Sequence, residues 1–390
     1  MDSVFSFFKN NIRQYAMMIA LAAIMILFEI LTGGILLKPQ NVTNLILQNS
    51  YVIILAIGMM LCILSGGNID LSVGSLTAFT GALAGVLIVT LKLNFFLVVP
   101  ILLVVGLLAG IFQGFWIAYI RIPPFIVTLA GFLYFRGLTL AILKGETISP
   151  FPPEFLVISS GFIPDLFGGP PSLNLFTLFI GAATAAIFVI LELRKRANRQ
   201  KYGFDVLPVP FLIIQITIVI LIIGFLSYSL AAYKGIPVIL ILLAILTIIY
   251  TFVTTKTVPG RYIYAMGGNE KAARLSGINT NKVLFFTYVN MAVLTAITGI
   301  VFTARLQAAV PSAGTNFELD AIAACFIGGA SATGGIGTVV GAITGAFVMG
   351  VLNNGMSILG LGSDWQLTIK GFVLLLAVAF DVMSKNRSKT

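Results

Sequence analysis

The sequence predicts an all-α polytopic membrane protein with about twelve transmembrane helices. Of its 390 residues, 59% are hydrophobic and only 9% are charged, whereas a soluble domain carries about 25% charged residues. Apolar runs of roughly 20 residues, the length that crosses a bilayer as a helix, recur along the whole chain. No polar stretch between them is long enough for a second folded unit, so we expect residues 1–390 to form a single transmembrane domain.

Each apolar run predicts one crossing of the membrane. The run at 319–335 is the weakest, because it is short and rich in small residues, and it is typical of a broken or re-entrant element that the rest of the protein shelters. The predicted spans are residues 15–37, 46–65, 72–91, 95–119, 124–143, 174–192, 210–232, 236–253, 283–304, 319–335, 337–358 and 365–383.

The distribution of positive charge predicts the orientation. Of the 23 lysines and arginines, sixteen fall on the side of the two termini, five on the other side and two within spans. Lysine and arginine accumulate on the cytoplasmic side of membrane proteins. We therefore expect a multi-pass membrane protein with both termini in the cytoplasm. The net charge of +10 then reflects topology, and it does not indicate nucleic-acid binding.

Two loops stand out under this topology. Residues 145–173 face outside and contain six prolines, which argues against a regular helix. Residues 193–209 face the cytoplasm and are basic. Neither loop resembles a folded domain.

Small residues recur at spacings that let helices approach closely. They lie at Gly106, Gly110 and Gly114 and again at Gly341 and Gly345, and close packing is the interpretation that we favour over a lining of a transport path. Two glycine-rich stretches, 66–75 and 328–337, each lead into a span, which indicates an internal repeat of the kind that transporters use.

The composition argues against an enzyme and against a resident cofactor or metal. The chain has no histidine and only two cysteines, so a His/Cys metal site and a Ser/His/Asp set are both excluded. Cys62 and Cys325 fall in apolar segments and are expected to be small core residues. No phosphate-binding Walker A motif is present.

The first polar motif is the turn 65–75 between two spans. Asp70 sits where one helix ends and the next begins, Ser72 and Ser75 are placed to cap the second helix, and the glycines allow a tight turn. From the residues alone, this is a helix-capping turn.

A second motif covers residues 123–137 and contains an arginine within an apolar run. Arg136 is only about two helical turns from the outer end of its span. Because a buried charge is costly, we expect its long side chain to reach out to the membrane surface.

The third motif is the polar loop 260–278, which lies between two apolar runs on the cytoplasmic side. Asn269 is placed to cap a helix, Glu270 suits its positive end, and Gly277 can end it in a left-handed conformation. We expect a helix of about two turns over Glu270–Ser276 that carries Lys271 and Arg274. These features fit an ordinary solvated loop as well as a docking element.

Together these motifs resemble sugar ABC-importer permeases of the ribose/xylose type. Residues 145–235 are the part that matches least. They add two spans that the shorter ribose-type permeases lack, and in this the chain resembles the xylose or multiple-sugar subgroup. The matching segments are residues 69–75, which resemble the family's signature, 123–137, the coupling loop 260–278, 317–329 and 352–356.

The resemblance implies a type II-like ABC importer permease architecture. It also implies four partners, namely a second permease copy, a cytoplasmic ABC ATPase subunit, an extracytoplasmic sugar-binding protein and membrane lipid. It assigns ATPase coupling to Gly267, Gly268, Asn269, Glu270, Ala272, Ala273, Arg274, Ser276 and Gly277. It assigns the signature or transport path to Asn68, Asp70, Ser72, Gly74, Ser75, Thr128 and Arg136.

The function that follows is the permease subunit of an ATP-driven importer for a monosaccharide, either xylose-like or several sugars. The alternative is an ion-coupled secondary transporter, which needs a carboxylate near the middle of the membrane. Glu29, deep in the first apolar run, is the candidate for that role, while Asp320 and Lys370 are further ionisable residues near spans. A receptor or structural protein is disfavoured by the many small residues.

Overall fold

The structure is a computed structural model. It describes the backbone of residues 2–170, 172–204, 206 and 208–387, and within these ranges the side chains of residues 17–379 and 383. Over these residues the chain is helical, and its two β-bridges are isolated pairs. The helices are α1 (Asp2–Leu31), α2 (Pro39–Leu64), α3 (Val73–Ala84) with a π-helical continuation (Gly85–Thr90), α4 (Phe95–Ala118), α5 (Pro124–Leu143), α6 (Pro153–Ser160), α7 (Leu175–Lys201), α8 (Val209–Ala231), α9 (Val238–Lys256), α10 (Val258–Gly268), α11 (Glu270–Leu275), α12 (Thr280–Leu306), α13 (Phe317–Ile327), α14 (Val339–Ile358) and α15 (Ser363–Arg387).

Nine of these elements, counted over the described residues, are long and apolar enough to cross a membrane. They are α2, α3 with its π-helical continuation, α4, α5, α7, α8, α9, α12 and α14. A shorter apolar stretch, Met17–Leu31, lies in α1. The all-helical polytopic fold predicted from the sequence is therefore confirmed.

The predicted span 319–335 is not a continuous helix. Its helical part, α13, has only 11 residues, and residues 328–338 form a turn with left-handed glycines at Gly329, Gly334 and Gly335. Both parts pack mainly within the protein, although Leu319 and Ile336 are exposed. Glycine permits the left-handed backbone angles of this turn, and the same conformational freedom disfavours continuation of α13.

The proline-rich loop 145–173 contains a helix, contrary to the prediction from its prolines. Pro152 is the N-cap of α6 and Pro153 is its first residue. Proline is tolerated there because the first N–H groups of a helix lack partners within the helix. Phe155 is fully buried and stacks on Phe151, so α6 packs into the bundle.

The same loop is held against the start of α7 by one carboxylate. Asp165 accepts backbone hydrogen bonds of 3.0 Å from Phe167, Gly169 and Leu175 and of 3.1 Å from Phe176. Burial raises the pKa of the Asp165 carboxyl, but the four N–H donors outweigh it and leave the pKa below its usual value.

The basic segment 193–209 is also more helical than predicted. Helix α7 continues to Lys201, so its basic residues project from a helix end. Positive charge is favourable there because the C-terminal end of a helix is partly negative.

The centre of the bundle is formed by α2 and α12. From Val52 to Leu64, α2 is buried on all sides. Helix α12 packs along the glycines of α4, and side chains at those positions would collide with it. A Cβ built at Gly106 would lie 2.5 Å from the Ala296 Cβ, and one at Gly110 would lie 2.7 Å from the Val289 Cα.

The second pair of glycines packs in the same way, between α13 and α14. A Cβ at Gly345 would lie 1.9 Å from the Ala324 carbonyl oxygen, and one at Gly341 would lie 2.3 Å from that of Gly328. The close packing predicted from both glycine spacings is confirmed.

Candidate functional site

The polar loop between α9 and α12 folds into two helices, of which the sequence predicted one. The Thr257 side chain accepts a hydrogen bond from the Gly260 N–H at 3.4 Å and begins α10, with Pro259 in its first turn. A threonine cap followed by proline is a helix-start signal, so α10 was recognisable from the sequence.

The second helix, α11, follows the prediction closely. The Asn269 side chain accepts a hydrogen bond from the Ala272 N–H at 3.0 Å, and Gly277 has φ +86°. The helix ends at Leu275, with Ser276 as its C-cap. The predicted capping roles of Asn269 and Gly277 are confirmed.

Helix α11 projects from the bundle. Ala273 is buried, whereas the other predicted loop residues from Asn269 to Gly277 are exposed. Leu275 is 90% exposed, flanked by the basic residues Lys271 and Arg274.

The base of the loop is fixed to the bundle by backbone contact. A Cβ built at Gly267 would lie 1.7 Å from the Leu64 carbonyl oxygen and 2.6 Å from the Gly335 nitrogen. The Gly335 N–H itself donates to that carbonyl at 3.0 Å. The Tyr264 hydroxyl donates to the Gly337 carbonyl at 2.7 Å. Helix α10 is thus seated on the end of α2 and on the turn that precedes α14.

An ion pair fixes the other side of the loop. Arg121, in the turn between α4 and α5, contacts Glu270 at 2.9 Å. Its guanidinium also donates to the Thr280 hydroxyl at 3.3 Å and to the Asn281 side chain. Sequence reasoning counted Arg121 only as a cytoplasmic charge, because nothing in the sequence indicates its partner across the fold.

The signature and the polar loop meet at a cavity of about 330 Å³. Asn68 lines it from the α2–α3 turn, and Gly267, Gly268, Asn269 and Glu270 line it from the loop. The two motifs are about 200 residues apart in sequence, yet the structure brings them together.

Asp70 organises the turn between α2 and α3. Its carboxylate is 1% exposed and accepts hydrogen bonds from the Ser72 N–H at 2.8 Å and the Ser72 hydroxyl at 2.6 Å. The expected caps differ, since Ser72 is the N-cap residue of α3 without a side-chain cap bond, and the Ser75 hydroxyl donates to the Ser72 carbonyl at 2.9 Å. The carboxylate thus closes a turn over residues 70–72 ahead of α3, and the predicted capping by the Ser72 hydroxyl is wrong.

A buried polar network continues from this turn into α4 and α5. The Gln113 side chain is fully buried and donates to the Ser72 hydroxyl at 2.9 Å and to the Tyr134 hydroxyl at 3.2 Å. Gly131 makes room for it, because a Cβ there would lie 2.3 Å from the Gln113 Nε2. Sequence reasoning missed Gln113, a polar residue in an otherwise apolar 24-residue helix.

The remaining signature residues stand beside this network. Thr128 is fully buried and donates to the Pro124 carbonyl at 2.9 Å within its own helix. Gly74 abuts the turn before α13, since a Cβ there would lie 2.2 Å from the Gly314 carbonyl oxygen.

Arg136 does not reach out to the membrane surface as predicted. Its guanidinium donates to the carbonyls of Pro311 and Ala313 at 3.0 and 2.8 Å. The chain after α12 folds back against α5 and supplies acceptors within the protein, so the charge needs no contact with the aqueous surface.

Other ionisable side chains also have partners. Glu29 lies two residues from the end of α1 and accepts a hydrogen bond from the Leu37 N–H at 2.9 Å, so it is not deep in a span as predicted. Asp320 pairs with Lys370 at 3.0 Å and accepts from the Tyr51 hydroxyl at 2.8 Å. The carboxylate proposed for ion coupling is therefore a tether at a helix end.

Comparison with known proteins agrees with the resemblance of the motifs. The chain is 40% identical to the xylose transport system permease protein of Haemophilus influenzae over 97% of this chain and 98% of that protein. It is 41% identical to the Escherichia coli protein of the same name over 97% of this chain and 94% of that protein. It is 34% identical to the Escherichia coli ribose import permease protein over 88% of this chain and 85% of that protein.

No solved structure matches the chain. Residues 41–378 match the model of a family described as branched-chain amino acid transport system / permease component. This range includes the signature turn, the buried network and the polar loop. The chain therefore belongs to this family of multi-pass transport permeases and is not an enzyme.

Proposed function

We propose that this permease is the membrane-spanning subunit of an ATP-driven importer that carries xylose or a similar monosaccharide into the cell. The identities of 40% and 41% to xylose permeases extend over 97% of the chain. The ribose permease is more distant, at 34% over 88% of the chain. Both named sugars are neutral pentoses, which defines the substrate class.

The observation that carries the proposal is the geometry of the polar loop. Helix α11 is exposed and carries Leu275 outward, whereas α10 is seated by backbone contact on Leu64 and Gly335. A force applied to α11 by a bound ATPase is therefore transmitted to the end of α2 and to the turn before α14. The loop residues Gly267 to Gly277 are the coupling element.

The signature residues form the part of the permease that responds to this force. Asn68 shares the cavity of the coupling loop, and Asp70 holds the same turn against the network of Ser72 and Gln113. Movement of α2 against α12 would therefore rearrange the α2–α3 turn as the sugar passes. Thr128 and Arg136 hold α5 beside this path.

The membrane topology is that of a type II-like importer permease with twelve crossings in a single domain. Nine spans are joined by α1, α15 and the broken segment 307–338. That the broken segment crosses the membrane is supported by the two helices that flank it, because α12 and α14 both begin beside the coupling loop. Helix α12 runs away from that end of the bundle, so the segment 307–338 must run back to it before α14 begins.

The termini and the coupling loop face the cytoplasm, where an ABC ATPase subunit binds α11. This orientation rests on the excess of sixteen basic residues over five. The loop 145–173 with α6 then faces outside and meets a sugar-binding protein. Two permease copies assemble as a dimer in the bacterial plasma membrane.

Reconstitution into liposomes tests the proposal. The permease, its ATPase and its binding protein are combined, and uptake of D-xylose is measured with ATP and with a protonophore that collapses the proton gradient. ATP-dependent uptake that the protonophore leaves intact is expected. Uptake that requires an ion gradient and not ATP would instead identify a secondary transporter.

A further inference from the structure

A second cavity lies at the opposite end of the bundle from the coupling loop. It has a volume of about 180 Å³, is open on one side, and is lined by α2, the end of α12 and the end of α14. Since a water molecule takes about 30 Å³ of the liquid, there is room for a small polyhydroxy ring. Its polar lining consists of Gln48, Asn49, Tyr51, Arg305, Asn353 and Ser357.

Two amide oxygens in this lining have no hydrogen-bond partner. Asn49 is 2% exposed, and its Nδ2 donates to the Ala346 carbonyl at 2.7 Å, yet its Oδ1 is unpaired. The Oδ1 of Asn353 is buried and unpaired as well. Buried polar atoms are paired in the great majority of native structures. Of the nine such side-chain atoms among the described residues, two belong to this lining, so a molecule that enters the cavity and shifts these side chains would find two unused acceptors.

The backbone of α14 is adapted to hold Asn49 in this position. A Cβ built at Gly350 would lie 2.5 Å from the Asn49 Cγ and 2.8 Å from its Oδ1. Tyr51 is held as well, because its ring stacks on Phe317 at 3.9 Å and its hydroxyl donates to Asp320. The wall of the cavity is thus rigid on the α2 side.

The donors and acceptors of the lining match a neutral sugar. The two unpaired amide oxygens accept hydrogen bonds from hydroxyl groups. The guanidinium of Arg305 lies on the same lining and would donate to hydroxyl oxygens. No carboxylate belongs to the lining. Hydroxyl groups satisfy donors and acceptors together, whereas a simple anion would leave the amide oxygens unpaired.

We infer that this cavity binds the transported monosaccharide, a neutral pentose, on its way from the external binding protein towards the coupling end. The inference rests on the proposed function and deepens it by assigning residues that contact the sugar. Asn353 and Arg305 make direct hydrogen bonds to hydroxyl groups, and Asn49 receives one at the closed end of the cavity.

The test uses the reconstituted importer and compares two substitutions on α14. Asn353→Ala removes one sugar contact, and Thr344→Ala removes an exposed hydroxyl that bonds only to the Val340 carbonyl of its own helix. The measured quantity is D-xylose imported per ATP hydrolysed. Asn353→Ala is expected to lower this ratio about fivefold, the effect of losing one typical hydrogen bond, while Thr344→Ala leaves it unchanged.

A second readout requires no transport. In the purified full-length permease, Ser357→Cys places a thiol at the exposed rim of the cavity, and Thr344→Cys serves as its control. Free D-xylose should slow the reaction of the first thiol with a maleimide and leave the second unaffected. No protection at position 357, or a wild-type ratio in Asn353→Ala, would overturn the inference.

The two proposals fail in different ways. If the wild-type importer takes up D-xylose with ATP but Asn353→Ala is indistinguishable from it, only the cavity assignment is wrong. If the wild-type importer hydrolyses ATP with its partners and takes up no pentose, the proposed function is wrong and the cavity inference falls with it.

Discussion

Gly267 of the coupling loop and Leu64 at the end of α2 are in direct backbone contact. A Cβ built at Gly267 would lie 1.7 Å from the Leu64 carbonyl oxygen, so only glycine fits there. The next residue, Gly268, has nothing within 4 Å of the same position. The two adjacent glycines thus have different roles. Gly267 packs the loop against the end of α2, whereas Gly268 is an exposed residue at the end of α10.

Gly267→Ala should displace the coupling loop. Overpacking of this kind typically costs about 1–3 kcal/mol, and here the nearest atoms are backbone, which cannot rotate away. We expect ATP-driven sugar uptake to fall at least tenfold in Gly267→Ala. Gly268→Ala is the matched control and should retain uptake. If the two variants are present in the membrane in equal amounts and take up sugar equally well, the contact between Gly267 and Leu64 does not transmit force.

Asp70 should be replaceable by asparagine better than by alanine. Asparagine keeps an oxygen that accepts from the Ser72 N–H and hydroxyl. Alanine leaves the buried N–H unpaired at about 1–3 kcal/mol, and the hydroxyl retains only the Gln113 side-chain oxygen, at 3.3 Å. Uptake and thermal stability in detergent should follow the order wild type, Asp70→Asn, Asp70→Ala. If asparagine is as damaging as alanine, the charge of Asp70 matters and its role is not confined to the turn.

The proposed orientation predicts which loops are accessible from outside the cell. Glu154 on α6 and Lys271 on α11 are both exposed, and the native Cys62 and Cys325 are fully buried. Single cysteines at these two positions can therefore be tested without removing the native ones. In intact cells a membrane-impermeant thiol reagent should label Glu154→Cys, and it should label Lys271→Cys only after permeabilisation. The reverse pattern would place α11 outside.

Local features of the fold could be predicted from the sequence. Asn269 and Gly277 delimit α11 because capping depends on residues that are neighbours in the chain. The glycines of α4 predicted close packing because their spacing places them on one helix face. Helices α6 and α10 were missed although proline at the first turn is a start signal. The prolines of 145–173 were interpreted as helix breakers, and Pro259, just before the loop 260–278, was not considered.

Contacts between distant segments could not be predicted. The turn that binds Arg136, Pro311 to Ala313, is 175 residues away or more in the sequence. Because the sequence did not indicate these acceptors, the arginine was expected to reach the membrane surface. Likewise, the Ser72–Gln113 contact and the Arg121–Glu270 ion pair depend on how helices pack. The residue pattern within one segment does not indicate which residue of another helix it will contact.

The central claim is that α11 binds the ATPase. Leu275 on α11 and Leu166 in the outer loop are both exposed leucines, at 90% and 66%. Each is replaced by cysteine, coupled to a short photo-crosslinker and illuminated in membranes that contain the assembled importer. We expect a crosslink to the ATPase from Leu275→Cys and none from Leu166→Cys. An ATPase that copurifies with Leu275→Cys without crosslinking there, or that crosslinks at Leu166→Cys, would contradict it.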